Sequence, residues 1–447
     1  MFDPYASFQN FQLSNGIPVH HLHLSSAKKQ SIGFLLHSGT YHSCTYPGLG
    51  HFVEHIVANS AGCKTLQKEM AEEGGSLLGS GGMTYSFGTG YGFDLPTGHA
   101  MIPSLVQRFK DYVFANPLSH SIDFEKSPFT AERAERFSDV DETSKKFLRY
   151  RALGGGWAAP DIGFGTNESI KNISLADVTA YYRKHYTPAN LSVLCVGSLS
   201  REAFEKTLTD AGWASLALAG QRFTPPTHGL SAPAPLLGRF AIAVPRISNT
   251  ELTAVAQLPR SFSNGVLRVA TRVIQRYFNQ FLREEKGIVY HVRVSWNNWR
   301  GTHAALVLVC QGVSPSRTAE FWSLYQTACG DIQKPSVISG EYIEKCRRSS
   351  YNSILSYEET SEQIYHSSIS YLFQEGGILT DTHLLEEISA ASHDHIRAAI
   401  ASLCSVTAYT ELDLPEGTPA PAGLPLYGLH AAADALAQCR LPTPLNT

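Results

Sequence analysis

His51 and His55 stand four residues apart with Glu54 between them, in the stretch GLGHFVEH. On a helix, positions i and i+4 project from one face a turn apart, so two imidazoles there can reach the same tetrahedral zinc ion. Glu54 lies one residue from His55 and three from His51. A carboxylate so placed can take a proton from metal-bound water, whose pKa a catalytic zinc lowers to about 7. The spacing therefore predicts a helix through this stretch, a zinc ion on its polar face and Glu54 as general base. A zinc site of this kind needs a third protein ligand from elsewhere in the chain.

The surrounding stretches show which elements would position these residues. FQLSNGIPVHHLHL reads as a hairpin turning at Asn15-Gly16. EEGGSLLGSGGMTYSFGTGYGFDLP follows the histidine helix, and LADVTAYYRKHYTPANLSVLCVGSLSREAFEKTL reads as helix, turn, buried strand and helix. Together with the His-x-x-Glu-His string, they resemble the pitrilysin and mitochondrial processing peptidase family of inverted zincins. In the second stretch Thr84, Thr89, Tyr91, Phe93 and Pro96 match the spacing of a family strand segment, whose edge binds substrate backbone in relatives. Gly81-Gly82 stands where the family usually has Asn-Ala.

The resemblance implies a third zinc ligand at Glu132, within TAERAERF and 77 positions after His55. It also implies an acid behind the ligands seven residues earlier, at Glu125. Seven residues is close to two helical turns, which would put Glu125 and Glu132 on one face. Pro128 intervenes, and proline disrupts a helix interior, so Glu125 is expected to fall outside the helix. In the second half, QFLREEKGIVYHV resembles the family's Arg-and-Tyr element, with Arg283 and Tyr290 implied to contact substrate near the scissile bond. A guanidinium and a phenol can donate hydrogen bonds to a carbonyl as it becomes an oxyanion.

A chain of 447 residues is too long for one ordinary core. The run GQRFTPPTHGLSAPAPLLG, rich in Pro, Ala and Gly, reads as a linker over 220–238. It separates a zinc-binding domain, 1–219, from a second domain, 239–447. IDFEKSPFTAERAERF in the first half is weakly similar to GEYIEKCRRSSYNSIL in the second, as expected of a duplicated unit that keeps one metal site per chain. Strand-like runs such as SIGFLLHSG and HAALVLVC alternate with amphipathic ones such as HAMIPSLVQRFKDYVFA. The expected fold class is α+β, with two homologous domains, each a mostly antiparallel sheet covered by helices. The resemblance adds that they form half of a clamshell.

With 43% hydrophobic and 17% charged residues, the chain has enough apolar surface for large cores. A net charge of −3 gives no electrostatic reason to expect nucleic acid or an acidic membrane as partner. The N-terminal MFDPYASFQN lacks secretory and mitochondrial targeting features, which favours a cytoplasmic protein. Eight cysteines are scattered without paired metal-type spacing and are expected to be reduced and packed. His21 and His23 share a face of a strand, and His393 and His395 lie two apart. Surface or packing roles are expected for all four.

The function these readings favour is a zinc metalloendopeptidase acting on peptides or unfolded precursor segments. His51, His55 and Glu132 would hold Zn2+, Glu54 would activate water, and Arg283 and Tyr290 would hold the peptide carbonyl. A second reading, from another class, is a non-catalytic structural or peptide-binding subunit of a heteromeric complex. Chains of this size resemble the half-length branch of the family, which implies a homodimer or a heterodimer with a related chain.

Overall fold

The structure is a computed structural model that describes residues 3–43, 46–79, 81–114, 118, 121–136, 161–223, 238–259, 262–299, 303–356 and 360–432. Residues 224–237, most of the linker read at 220–238, lie outside the described residues. The chain divides into two compact units. One comprises Met1–Arg136, Pro160–Pro225 and Glu358–Asp381; the other comprises Phe137–Ala159, Pro226–Tyr357 and Thr382–Thr447.

The first unit is built on seven strands: β1 (Gln9–Gln12), β2 (Pro18–His23), β3 (Lys29–Leu36), β4 (Ser76–Leu77), β5 (Met83–Thr84), β6 (Thr89–Pro96) and β7 (Leu191–Gly197). Their order is β1-β2-β7-β3-β6-β4, with β5 also paired to β6. Asn15-Gly16 makes the β1-β2 turn. Gly16 takes φ +89°, and the Asn15 amide donates to the carbonyls of Trp213 and Leu216, both at 2.9 Å. The apolar run LSVLCVG becomes β7 in the sheet interior, buried at every position.

On one face of this sheet Ile32, Phe34 and Phe93 join Phe52, Phe109 and Trp213 in the main core, with Phe34 and Trp213 stacked at 4.4 Å. Helices α1 (Leu49–Ala58), α2 (Ala61–Glu72), α3 (Ile102–Phe114) and α4 (Ile122–Arg136) belong to this unit. The opposite face carries a helix from far along the chain, Ser361–Gln374. It needs glycines beneath it. A Cβ on Gly33 or Gly92 would stand 2.6 or 2.8 Å from the Tyr365 hydroxyl, and one on Gly88 would overlap the Phe373 ring. Gly88→Val should therefore destabilise the first unit by about 1–3 kcal/mol, seen as a lower melting temperature. Phe373→Ala in the same chain should recover part of that loss, because it removes the overlap. Strict additivity of the two changes would show that the contact does not exist.

The second unit has six strands: β8 (Arg239–Val244), β9 (Thr250–Pro259), β10 (His291–Trp299), β11 (His303–Val313), β12 (Tyr409–Pro415) and β13 (Leu426–Gly428). They are ordered β10-β11-β9-β12-β8-β13. The helices Asn264–Phe278 and His393–Cys404 pack on it. Both sheets are threaded alike. In the first, β2 runs parallel to β7, which is antiparallel to β3, itself antiparallel to β6. In the second, β8, β12, β9 and β11 repeat those three relations in the same chain order. The architecture is thus α+β, with two mostly antiparallel sheets covered by helices. No helix among the described residues is long and apolar enough to cross a membrane. Cys63, Cys195, Cys310, Cys329, Cys346 and Cys404 are free and buried.

Candidate metal centre

Helix α1 starts at Gly48, whose φ of +88° and close approach to the Phe164 carbonyl leave no room for a side chain. Its apolar residues Phe52, Val53, Ile56 and Val57 go into the core. His51 and His55 remain at the partly exposed edge, facing α4. Together with Glu132 they bring one donor atom each within 4.8 Å of one another, the one such group found among the described residues.

Each imidazole is fixed through its Nδ1. His51 Nδ1 lies 3.1 Å from the Gly163 carbonyl, and His55 Nδ1 lies 3.0 Å from Glu125 Oε1. The Asn59 amide donates to that same Glu125 oxygen at 3.1 Å. His55 is thereby left with Nε2 towards Glu132 Oε2 at 3.0 Å, and His51 Nε2 lies 3.6 Å from Glu54 Oε2. Imidazoles anchored at one nitrogen and presented at the other are what a zinc site requires, so this donor set fits zinc. Phe129, fully buried, sets its ring edge-on to both histidines at 4.9 Å.

One expectation fails here. Glu125 was expected outside the helix because of Pro128, yet α4 runs unbroken from Ile122 to Arg136 and contains both. Proline withholds a hydrogen bond from the carbonyl four residues earlier, that of Phe124, and Phe124 is 62% exposed, so water reaches that turn. Glu125 is buried at 1% exposure and points at His55.

Glu54 is buried, with the Thr84 hydroxyl donating to Oε2 at 3.4 Å. Gly82 is glycine because a Cβ there would overlap the Glu54 carboxylate and stand 2.8 Å from the Tyr91 ring. Gly81 takes φ +130°, and its carbonyl accepts from Tyr112 at 2.9 Å. The departure from Asn-Ala is thus a close-packed wall around the carboxylate. Burial pushes Glu54 up to about 7. Burial, with the neighbouring His55, lowers His51 to about 4. Burial also opposes charge on His55, but the bonds to Glu125 and Glu132 outweigh it and raise His55 to about 10. The bond to His55 in turn lowers Glu132. Without metal, His55 holds a proton between two carboxylates.

Glu125→Gln keeps the shape but weakens the grip on His55. Zinc affinity should fall about 10- to 100-fold, read by competition with a chromogenic chelator. An unchanged affinity would mean that Glu125 has no part in orienting the ligand.

Arg283 and Tyr290 meet one another in the second unit. The guanidinium, on the π-helical turn Asn279–Glu285, lies 5.8 Å from the ring of Tyr290, which is 75% exposed. Four other histidines contact groups outside this cluster. His21 and His23 both bond the Leu199 carbonyl, at 2.9 and 3.3 Å. His393 pairs with Glu344 at 2.7 Å, and the ring of His395 lies 6.1 Å from that of Phe262. Sequence reasoning missed Asn59, Phe129 and the Gly163 carbonyl. Asn59, four residues after His55, was the one with a signal.

Residues 172–328 match the family described as Peptidase M16 inactive domain. Among curated proteins, none matches the chain. Among solved structures, the first half of the periplasmic protease PqqL from Escherichia coli superposes with a TM-score of 0.74 at 14% identity, covering 98% of each chain. A peptidase M16 inactive domain from Pseudomonas fluorescens gives 0.69 at 14% identity, over 93% of this chain and 99% of that one. A chain of complex III2 from Candida albicans gives 0.66 at 14% identity, over 88% and 92%.

The family match corrects the expectation of a zinc metalloendopeptidase. The matched segment, which carries Arg283 and Tyr290, is similar to a domain described as inactive. Held ligands and a buried glutamate do not by themselves supply the alignment that proton transfer to a reacting group demands. Residues 172–328 are thus similar to an M16 inactive domain, within a chain whose fold is that of M16-like peptidases.

Proposed function

We propose that the chain is a non-catalytic, peptide-binding subunit of a heteromeric M16-type assembly, with zinc held by His51, His55 and Glu132. The observation that carries this reading is the similarity of residues 172–328 to the M16 inactive domain. The fold it shares with a chain of complex III2 supports a role inside an assembly. Peptide binding is supported by the short strands at the margin of the first sheet. β4 ends the strand order, and β5 carries the Thr84 that bonds Glu54. A peptide added as a further strand gains main-chain hydrogen bonds with little dependence on its sequence. Bound zinc would tie α1 to α4 and offer a remaining coordination position to water or a peptide oxygen. Glu125 and Gly163 hold the two imidazoles in place, and Glu54 sets the charge behind them.

The test is incubation of the purified full chain with a mixture of unfolded peptides, followed by mass spectrometry of the bound and free fractions and metal analysis of the protein. Peptides retained intact by a chain holding about one zinc would support the proposal. Internal cuts, or no retained peptide at all, would overturn it.

A further inference from the structure

In the second unit, the helix Asn264–Phe278 carries Arg268, Arg272 and Arg276 on successive turns. Three guanidiniums so spaced fall within about 80° around the helix and span about 12 Å along it. Arg268 and Arg272 are half-buried, and Arg276 is exposed. None of the three has a carboxylate partner among the described residues.

Three acids on neighbouring helices are already engaged. Glu341 pairs with Lys345 at 2.9 Å, and Glu344 pairs with Arg347 and His393 at 3.2 and 2.7 Å. Glu387 accepts from the Gly265 amide at 3.2 Å and lies 3.6 Å from His383. Beside the strip, Arg276 sits 5.6 Å over the ring of Tyr342. Arg268 Nε and the Tyr342 hydroxyl are both buried atoms with no hydrogen-bond partner among the described residues. Half-buried cations and donors without partners are unfavourable unless something supplies acceptors. In a chain of net charge −3, this strip is a local exception.

We propose that this face docks an acidic helix of a partner protein, with carboxylates at i, i+4 and i+8 meeting the three arginines turn for turn. Arginine's planar fork suits paired hydrogen bonds to a carboxylate. A nucleic acid is the poorer occupant, because a long polyanion would feel the negative charge of the whole chain.

The experiment is fluorescence anisotropy with the full chain and a labelled, alanine-rich helical peptide bearing glutamate at every fourth position. Binding should weaken with added salt. The combined change R268Q, R272Q and R276Q should reduce affinity at least about tenfold, while Lys206→Gln in the first unit should leave it unchanged. If the triple variant fails to fold by circular dichroism, R276Q alone, at the exposed position, should reduce affinity about threefold. Three results would overturn the proposal: no binding at low salt, equal affinity for native and substituted chains, or tighter binding of a DNA duplex than of the peptide.

Discussion

His55→Ala is expected to strip zinc from the protein, from about one ion per chain to a level that metal analysis cannot distinguish from none. His55 is the hub of the cluster, because its two nitrogens reach Glu125 and Glu132 at 3.0 Å each. The substitution removes one of three ligands and leaves Glu125 buried without its ring partner. Losing a ligand of this kind costs roughly 4 kcal/mol of metal binding, about a thousandfold in affinity. His393→Ala is the matched control, because His393 also touches a carboxylate, Glu344 at 2.7 Å, yet belongs to no ligand group among the described residues. Its zinc content should equal that of the native chain. Equal loss in both variants would mean that zinc binds histidines indiscriminately, and full retention in His55→Ala would place the metal elsewhere.

The second large effect concerns stability without metal. Glu54 has a folded-state value of about 7 against an ordinary 4.5, because burial disfavours its charge. For an acid shifted upward, folding favours the protonated form. The burden is absent below pH 4.5, grows between 4.5 and 7, and is complete above 7. A shift of this size corresponds to about 3 kcal/mol. Glu54→Gln removes the charge and keeps an acceptor for Thr84. In the presence of a chelator it should unfold at higher denaturant than the native chain at pH 8, by about 2 kcal/mol after the lost attraction to His55 is allowed for. At pH 4.5 the two should nearly coincide. Parallel curves across that range would show that Glu54 is not carried into the interior as a charge.

The metal ligands show which parts of a site a sequence exposes. His51, Glu54 and His55 could be read because a helix converts a spacing of four residues into a shared face, a purely local rule. Glu132 lies 77 residues beyond His55, and only the family resemblance pointed to it. Glu125 was displaced in the reading by Pro128, since the rule for proline takes no account of a turn whose carbonyl faces water. Gly163 contributes a backbone oxygen, which leaves no mark in side-chain patterns. The same limit applies to the helix Ser361–Gln374. Its amphipathic pattern would be identical whichever sheet it covered, and the sign of its position lies instead in Gly33 and Gly92, glycines within buried strands. The expectation of an enzyme rested on the ligands, Glu54, the Arg-Tyr element and the family resemblance, and the similarity of residues 172–328 to an inactive domain outweighed it.

The placement of Ser361–Gln374 in the first unit also decides how the protein can be divided. A gene fragment ending at residue 219 would encode every described strand of the first sheet and all three candidate metal ligands. It would lack the helix that seats Tyr365 and Phe373 over Gly33, Gly92 and Gly88. Such a fragment would expose one face of its sheet to solvent and invite association through it. Reassembly from two separately expressed pieces, or exchange of halves with a related chain, would succeed only if the piece bearing residues 361–374 were supplied at the same time.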